Sequence, residues 1–315
     1  MLPNHVDAIL RAESAEPRLY AYEKDRYALS LLSLVIGGAR PLSELRRGPF
    51  ARLLEKATVR PALAHAAHAV LTPACLARVA PERPENFRVT LSRWGGARPD
   101  DWHASYYQTS RPGQNLVLQL DFPESHDRAY RRLIAPEADH PFVSDGHPAR
   151  ASEPFTLAWV RLDLDPESGE CLIEEVQSDW IKRAQNFLQL ADEWLSEGEP
   201  EHLPVVDDLR ATAPQLITYV ERVLRPYAKL WQECALMAAL DFVYSEFGIR
   251  TVYFHTYEGG LFMKRMRGCF LPPRSLYTDL PERFCFQHTA RAPRALRSDP
   301  RLREHPVRWF VLHLV

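Results

Sequence analysis

Apolar periodicity along the chain predicts a mixed α/β fold. Residues 155–165 and 171–179 are apolar runs on either side of a short acidic turn, a pattern typical of an antiparallel hairpin. A long apolar helix follows over about 227–247 and ends at Gly248, and residues 250–256 then form another strand. This β–α–β order predicts a parallel crossover between the second hairpin strand and residues 250–256.

Weaker patterns complete the predicted architecture. Further strands are predicted at 87–94, 115–122, 283–288 and 307–314, and further helices at 180–199 and 212–224. Residues 1 to about 80 have helical patterns instead, among them the apolar run from Tyr27 that ends at Gly37 and Gly38. We therefore predict the fold class α/β (α+β): a helical N-terminal region over 1–80, and a mixed central sheet in a domain over 81–315.

The composition is that of a globular protein, with 46% apolar and 25% charged residues among 315. No apolar stretch approaches the roughly 18 residues of a membrane span, and the N-terminus has no basic segment followed by an apolar one. We therefore expect a cytoplasmic protein that does not contact a membrane. The five cysteines show no CxxC spacing, so we expect neither a disulfide framework nor a bound metal.

Charge is distributed unevenly along the chain. Residues 261–315 hold 11 Lys and Arg against 4 Asp and Glu, whereas the whole chain holds 39 against 41. A basic stretch of this kind can meet the phosphates of a cofactor or a nucleic acid. It can equally balance the acidic middle of the chain within one fold, and the composition leaves both interpretations open.

Acidic side chains mark the second strand of the hairpin as the main candidate site. Strict alternation puts Glu175, Gln177 and Asp179 on one face together with Ile173, and Glu174 on the other face. Two carboxylates and an amide on a central strand need partners or a chemical role, which favours a functional site. The structural alternatives are a solvated acidic edge strand, or Asp179 as a simple helix N-cap.

The segment from Glu174 to Trp180, E-E-x-Q-S-D-W, resembles a motif of large polyvalent proteins from phages and mobile elements. In those proteins a K-x-W helix rich in alanine and leucine follows, and the helix after Lys229 and Trp231 is similar. This resemblance implies a phage-related origin and no particular activity. Gln177, Ser178 and Trp180 of this segment are candidates for substrate binding.

The order of predicted elements resembles a second family, the GNAT-type acyltransferases. In that family the loop before the long helix carries Q/R-x-x-G-x-G/A, whose backbone amides bind the acyl-CoA diphosphate. The corresponding segment starts at Arg225, and Ala228 and Leu230 stand at its glycine positions. The resemblance implies acyl-CoA as the cofactor, with Arg225 and Lys229 facing its phosphates. Phe262 stands where the family often has a tyrosine acid, and phenylalanine cannot donate a proton.

Two other segments carry candidate site residues. His255 ends the predicted parallel strand, which is where open α/β sheets place their ligands, and histidine suits acid–base chemistry. Its alternative role is that of a core histidine. Arg274 and Tyr277 follow two prolines in a stiff loop, where they could contact a phosphate or a ribose, or merely form a structural turn.

Three functional hypotheses follow. The first is a GNAT-like acyltransferase that acts on an amine of a protein, a nucleic acid or a small molecule, with Glu175 or Asp179 as base and His255 as the alternative. The second is a glycosidic-bond enzyme that holds a nucleotide or NAD ribose with Glu175, Gln177 and Asp179. The third is a non-catalytic mobile-element module that binds nucleic acid or a host protein.

Overall fold

The structure, a computed structural model, has one large mixed sheet with helices packed on it, which confirms the predicted α/β class. It describes residues 1–12, 17–96, 107–137, 141–144, 146–150, 152–205, 209–268 and 271–315. The strands are β1 (Arg18–Tyr22), β2 (Arg40–Pro41), β3 (Val70–Leu71), β4 (Glu85–Gly95), β5 (Gln114–Asp121), β6 (Thr156–Asp165), β7 (Glu170–Gln177), β8 (Thr251–His255), β9 (Gln287–Thr289) and β10 (Trp309–His313).

The helices are α1 (Pro3–Ala12), α2 (Tyr27–Val35), α3 (Leu42–Leu45), α4 (Arg60–Ala64), α5 (Pro73–Ala77), α6 (Glu124–Ile134), α7 (Asp179–Ser196), α8 (Ala213–Thr218), α9 (Arg225–Ala228), α10 (Trp231–Phe247), α11 (Tyr257–Met263), α12 (Asp279–Arg283) and α13 (Pro300–Glu304). The predicted helix over 212–224 is split, because Tyr219–Leu224 is a π-helical turn that follows α8. None of the helices that the structure describes is long and apolar enough to cross a membrane.

The large sheet has the strand order β1-β4-β5-β6-β7-β8-β10-β9. Neighbouring strands are antiparallel except β7 and β8, which are parallel as the β–α–β pattern predicts. The last strand, β10, lies between β8 and β9 and is antiparallel to both. The hairpin, a long helix, a strand, a short helix and a final two-strand unit therefore occur in the predicted order.

Two predicted regions differ in detail. The N-terminal region over 1–80 contains α1 to α5, but it also supplies β1, which pairs with β4 at the edge of the large sheet. The strand predicted over 283–288 is shorter and later, at β9, because α12 extends to Arg283 and Cys285 has a positive φ. Residues 284–286 are apolar because they are buried beside the sheet, and burial rather than strand pairing explains their pattern.

The two faces of the sheet have different chemistry. One face packs against α10 and the N-terminal helices, and side chains such as Val160, Ile173 and Phe254 form the main core there. The other face, called the polar face below, carries Arg161, Glu175 and other polar side chains beside a smaller apolar cluster. Because long buried strands normally present apolar side chains on both faces, the polar face is where a site is expected.

Candidate active site

A β-bulge in β7 brings two adjacent glutamates to the polar face. Arg161 of β6 pairs with Glu175 and Leu162 pairs with Ile173, so Glu174 is the extra residue. The predicted alternation is therefore wrong beyond Ile173: Glu175 no longer lies on the Ile173 face. Val176 joins Ile173 in the main core instead, and both glutamates have their partners on the polar face.

Glu175 forms a buried ion pair with Arg161 across the hairpin. Its Oε2 accepts a hydrogen bond from Nη2 of Arg161, and both side chains are almost fully buried. Arg161 also donates to the backbone carbonyls of Tyr107 at 2.7 Å and Gln108 at 3.1 Å, so its guanidinium orients that segment. Burial alone would raise the pKa of Glu175, but Lys264 and Arg161 together lower this pKa.

Lys264 fills a gap between the two parallel strands. β7 and β8 are paired only as far as Ile173 and Phe254, so the Glu174 carbonyl has no partner on β8. The Lys264 ammonium group donates to that carbonyl at 3.1 Å and to the Tyr277 hydroxyl at 2.9 Å, and it lies 3.9 Å from Glu175 Oε2. Burial lowers the pKa of Lys264, while the nearby glutamates oppose that shift.

Glu174 forms a second buried cluster with Ser110 and His255. Its carboxylate accepts from the Ser110 amide at 3.0 Å and the Ser110 hydroxyl at 2.7 Å, and His255 Nε2 lies 3.1 Å from it. Burial alone would raise the pKa of Glu174, but His255, Arg161 and Lys264 lower it to about 2. Burial lowers the pKa of His255, so the cluster holds a neutral imidazole beside a charged carboxylate.

This geometry makes His255 a poor general base. Its Nε2 is occupied by Glu174 and Ser110, its Nδ1 is buried without a partner in the described part of the chain, and the ring is fully buried. In a serine hydrolase triad the carboxylate binds one imidazole nitrogen and the serine the other. Here both contact the same nitrogen, so the cluster is not such a triad.

A small polar cavity of about 120 Å³ opens beside Glu175 on the polar face. Its walls are made of indole, guanidinium, carboxylate and imidazole groups together with loop backbone. The lining residues are Trp94, Gln108, Ser144, Gly146, His147, Trp159, Arg161 and Glu175. The volume suits a group of a few non-hydrogen atoms, so this cavity can hold a reacting group but not a whole cofactor.

His147 and Asp179 form an imidazole–carboxylate pair at this cavity. His147 Nδ1 lies 2.7 Å from Asp179 Oδ1, which also accepts from the Gln177 amide at 2.8 Å. Asp179 is 6% exposed and His147 36% exposed, so the carboxylate is buried while the imidazole reaches solvent. With its proton on Nδ1, His147 donates to Asp179 and its Nε2 is left as an acceptor, which is the arrangement of an activated general base.

Two hydrogen-bond donors at the cavity are unpaired. Arg161 Nε and Trp159 Nε1 are buried without an acceptor among the described residues, and both side chains line the cavity. The His147 ring lies 5.7 Å from the Trp159 ring, centroid to centroid. Buried donors normally have a partner, so this pair is suited to an oxygen atom of a bound molecule. Asp179 Oδ2 is likewise buried and unpaired within the described ranges.

Two predicted substrate-binding residues have structural contacts. Ser178 is the N-cap of α7: its hydroxyl accepts from the Ile181 amide at 3.2 Å and donates to the Leu157 carbonyl at 2.5 Å. Trp180 is 1% exposed and packs within a cluster of aromatic rings, while its indole donates to the Tyr219 hydroxyl at 2.6 Å. Asp179 is therefore the first residue of α7 and not its N-cap.

The remaining predicted residues lie apart from the small cavity. Arg225 and Lys229 are exposed on and just after α9, and neither lines this cavity or the larger one described below. Arg274 is exposed and pairs with Glu258 at 2.7 Å. Tyr277 is buried, and burial raises the pKa of its hydroxyl.

Sequence reasoning missed four residues of this region: Ser110, His147, Arg161 and Lys264. They lie on the polar face only because the fold brings distant segments there. One signal was available, since an arginine inside the apolar strand 155–165 requires a buried counter-ion, and the acidic returning strand supplies one. No group of three His, Cys, Asp or Glu side chains in the described ranges could hold a metal ion.

Comparisons with known proteins add no information about this site. No family model, no curated protein and no solved structure matches this chain.

Proposed function

We propose that the protein is a group transferase that moves an acyl group from a thioester donor to an amine, with His147 as the general base. The observation that carries this proposal is the small cavity, which is lined both by the imidazole that Asp179 holds and by the side chains of two unpaired hydrogen-bond donors. A base for the nucleophile and donors for a developing oxyanion are the two requirements of acyl transfer.

Each step can be assigned to a side chain. The amine nitrogen attacks the acyl carbon while His147 Nε2 takes its proton, and Asp179 stabilises the resulting imidazolium. Arg161 Nε and Trp159 Nε1 donate to the carbonyl oxygen as its negative charge develops. The C–N bond forms, the C–S bond breaks, and the proton on His147 passes to the leaving thiolate. Glu175 holds Arg161 in position through their ion pair.

The element order supports the same proposal. The parallel pair β7 and β8, the helix α10 between them and the inserted strand β10 follow the layout that suggested a GNAT-type acyltransferase. Acyl-CoA is the donor that this layout implies. Arg225 and Lys229, which the resemblance assigns to its phosphates, are exposed and line neither cavity.

The glycosidic-bond hypothesis has less support. A carboxylate that acts as nucleophile or base must be free to approach the substrate. Glu175 is bound to Arg161, and Asp179 Oδ1 is bound to both His147 and Gln177, while the unpaired Asp179 Oδ2 is buried.

The test is release of free thiol from acetyl-CoA and longer acyl-CoA thioesters, measured with a panel of amines that includes amino acids, polyamines and basic peptides. We expect thiol release that depends on an amine and that falls by roughly 10²–10⁴-fold in His147→Gln. The matched control is His202→Gln, an exposed histidine far from the cavity in sequence, which should retain full activity.

Two results would contradict the proposal. One is amine-dependent turnover that His147→Gln leaves unchanged. The other is absence of thiol release with every donor, together with release of nicotinamide from NAD in a parallel assay, which would favour ribose chemistry.

A further inference from the structure

A second and larger cavity, of about 700 Å³, lies where β8 ends and α11 begins. Its volume falls within the roughly 300–1,000 Å³ of small-molecule sites. It shares no lining residue with the small cavity. Tyr277 lines the large cavity, and its hydroxyl accepts a hydrogen bond from Lys264, which lies 3.9 Å from Glu175 of the small cavity.

Aromatic rings form much of its wall. The rings that line it are Tyr277, Tyr257 and Phe262 of α11, and Phe310 of β10. The Tyr257 and Tyr277 rings meet edge to face with 6.1 Å between centroids, and the Phe262 ring lies 5.4 Å from that of His305. Flat rings that approach from several elements suit a flat heteroaromatic ligand, because each base stacked on an aromatic side chain gains roughly 1–3 kcal/mol.

Two basic side chains stand at the rim of the cavity. Arg308 and His305 are exposed there, and neither has an ion pair within the described ranges. Of the acidic lining residues, Glu258 pairs with Arg274 at 2.7 Å, whereas Arg52 donates only to the backbone carbonyl of Glu282, at 2.6 Å, and the Glu282 carboxylate has no ion pair in the part of the chain that the structure describes. A phosphate group is the ligand that exposed arginine and histidine beside an aromatic cavity recognise best.

We propose that the large cavity binds a nucleoside diphosphate group, with the base against Tyr257, Phe262 and Phe310 and the phosphates at Arg308 and His305. This inference goes beyond the acyl transfer proposed above and does not depend on it. The same chemistry occurs in a free nucleotide and in the 3′-phospho-ADP part of CoA. The test therefore has one arm for each source.

The experiment is isothermal titration of the full chain with ADP and, separately, with CoA, in about 0.15 M salt to suppress non-specific binding. We expect ADP to bind, and Arg308→Ala to weaken that binding roughly tenfold or more through the lost charge-assisted hydrogen bonds. Arg291→Ala removes another exposed arginine, one that does not line the cavity, and it should bind ADP as the unaltered protein does.

A second variant tests whether ADP enters the cavity or is held only by the charge of Arg308 at its rim. Val307→Trp fills the cavity with an uncharged ring and should abolish binding while Arg308 remains. CoA binding at least tenfold tighter than ADP identifies the nucleotide part of an acyl donor, and equal affinities identify a free nucleotide. The proposal is overturned if neither ligand binds at millimolar concentration, or if Arg291→Ala weakens ADP as much as Arg308→Ala. His147→Gln should bind ADP as the unaltered protein does, because His147 does not line the large cavity. A loss of ADP binding is therefore distinguishable from a loss of acyl transfer.

Discussion

His147 Nδ1 lies 2.7 Å from Asp179 Oδ1, although the two residues are 32 positions apart and belong to a proline-rich loop and the start of a helix. The carboxylate is buried and the imidazole is partly exposed. This combination orients the histidine from inside the protein, and His147 lines the cavity. Asp179 is therefore a positioning residue. Its substitution should lower the rate of catalysis, whereas substitution of an ordinary buried aspartate would lower only stability.

Asp179→Asn should lower kcat for acyl transfer by roughly 10²–10⁴-fold and leave KM nearly unchanged. The amide can donate to His147 Nδ1 and so favours the tautomer whose Nε2 carries the proton. Asp179→Glu, which keeps the charge, should restore part of the rate. The control is Asp192→Asn on the exposed side of α7. If Asp179→Asn lost only as much activity as its lower melting temperature explains, and Asp179→Glu restored none of the rate, Asp179 would have a purely structural role.

Glu175→Gln should destabilise the protein strongly, by roughly 3–5 kcal/mol. The substitution leaves the buried Arg161 guanidinium without a counter-charge, and breaking one partner of a buried ion pair carries that cost. Glu258→Gln breaks the exposed pair with Arg274 and should cost under about 1 kcal/mol. Urea unfolding of both variants measures the difference, and equal losses would contradict the assigned burial of Arg161.

Local sequence patterns were sufficient for most of the fold. The hairpin, the long helix and the parallel crossover follow from periodicity, because side chains in those elements face one core. The same reasoning failed at the bulge in β7, since an extra residue shifts every later side chain to the other face without changing composition. Alternation therefore gave Glu175 the wrong face.

The partners of those carboxylates were beyond sequence reasoning for a different reason. Ser110, His147 and Lys264 come from segments far apart in the chain, and none lies in a periodic element that would fix its direction. Only the three-dimensional contacts bring them to Glu174, Asp179 and Glu175. The charge of Glu175 is balanced by two cations from separate segments, which no spacing rule encodes.

Trp180 offers a test of whether the E-E-x-Q-S-D-W segment of this protein serves substrate binding or packing. Its ring is buried among Phe142, Tyr130 and Phe155, so Trp180→Ala should cost roughly 3–5 kcal/mol through the cavity it leaves. Trp180→Phe keeps most of the volume but loses the hydrogen bond to Tyr219 and should cost less. Thermal denaturation ranks the two variants.

The substrate-binding alternative for Trp180 makes the opposite prediction. If the indole contacted substrate, Trp180→Phe would raise KM for the amine several-fold at an unchanged melting temperature. We expect a lower melting temperature and an unchanged KM, measured for protein that remains folded at the assay temperature.

Asp121 should make stability fall as pH rises through the mildly acidic range. Burial raises the pKa of this carboxyl to about 6, against 3.8 for the ordinary group, although Thr90 and Thr156 each donate a hydrogen bond to it at 2.8 Å. The folded protein therefore binds a proton between those values that the unfolded chain does not bind. The stabilisation is complete below pH 3.8 and is lost as pH rises through 6.

The measurement is the free energy of unfolding in urea at several pH values between 4 and 7, for the unaltered protein and for Asp121→Asn. A two-unit difference in pKa corresponds to roughly 2–3 kcal/mol. As pH rises from 4 to 7, the free energy of unfolding of the asparagine variant should therefore increase by about that much relative to that of the unaltered protein. The comparison cancels the titration of other groups, which both proteins share. A constant difference at every pH would show that Asp121 stays charged in the fold, held by its two threonines and by Arg150, whose guanidinium lies 3.8 Å away.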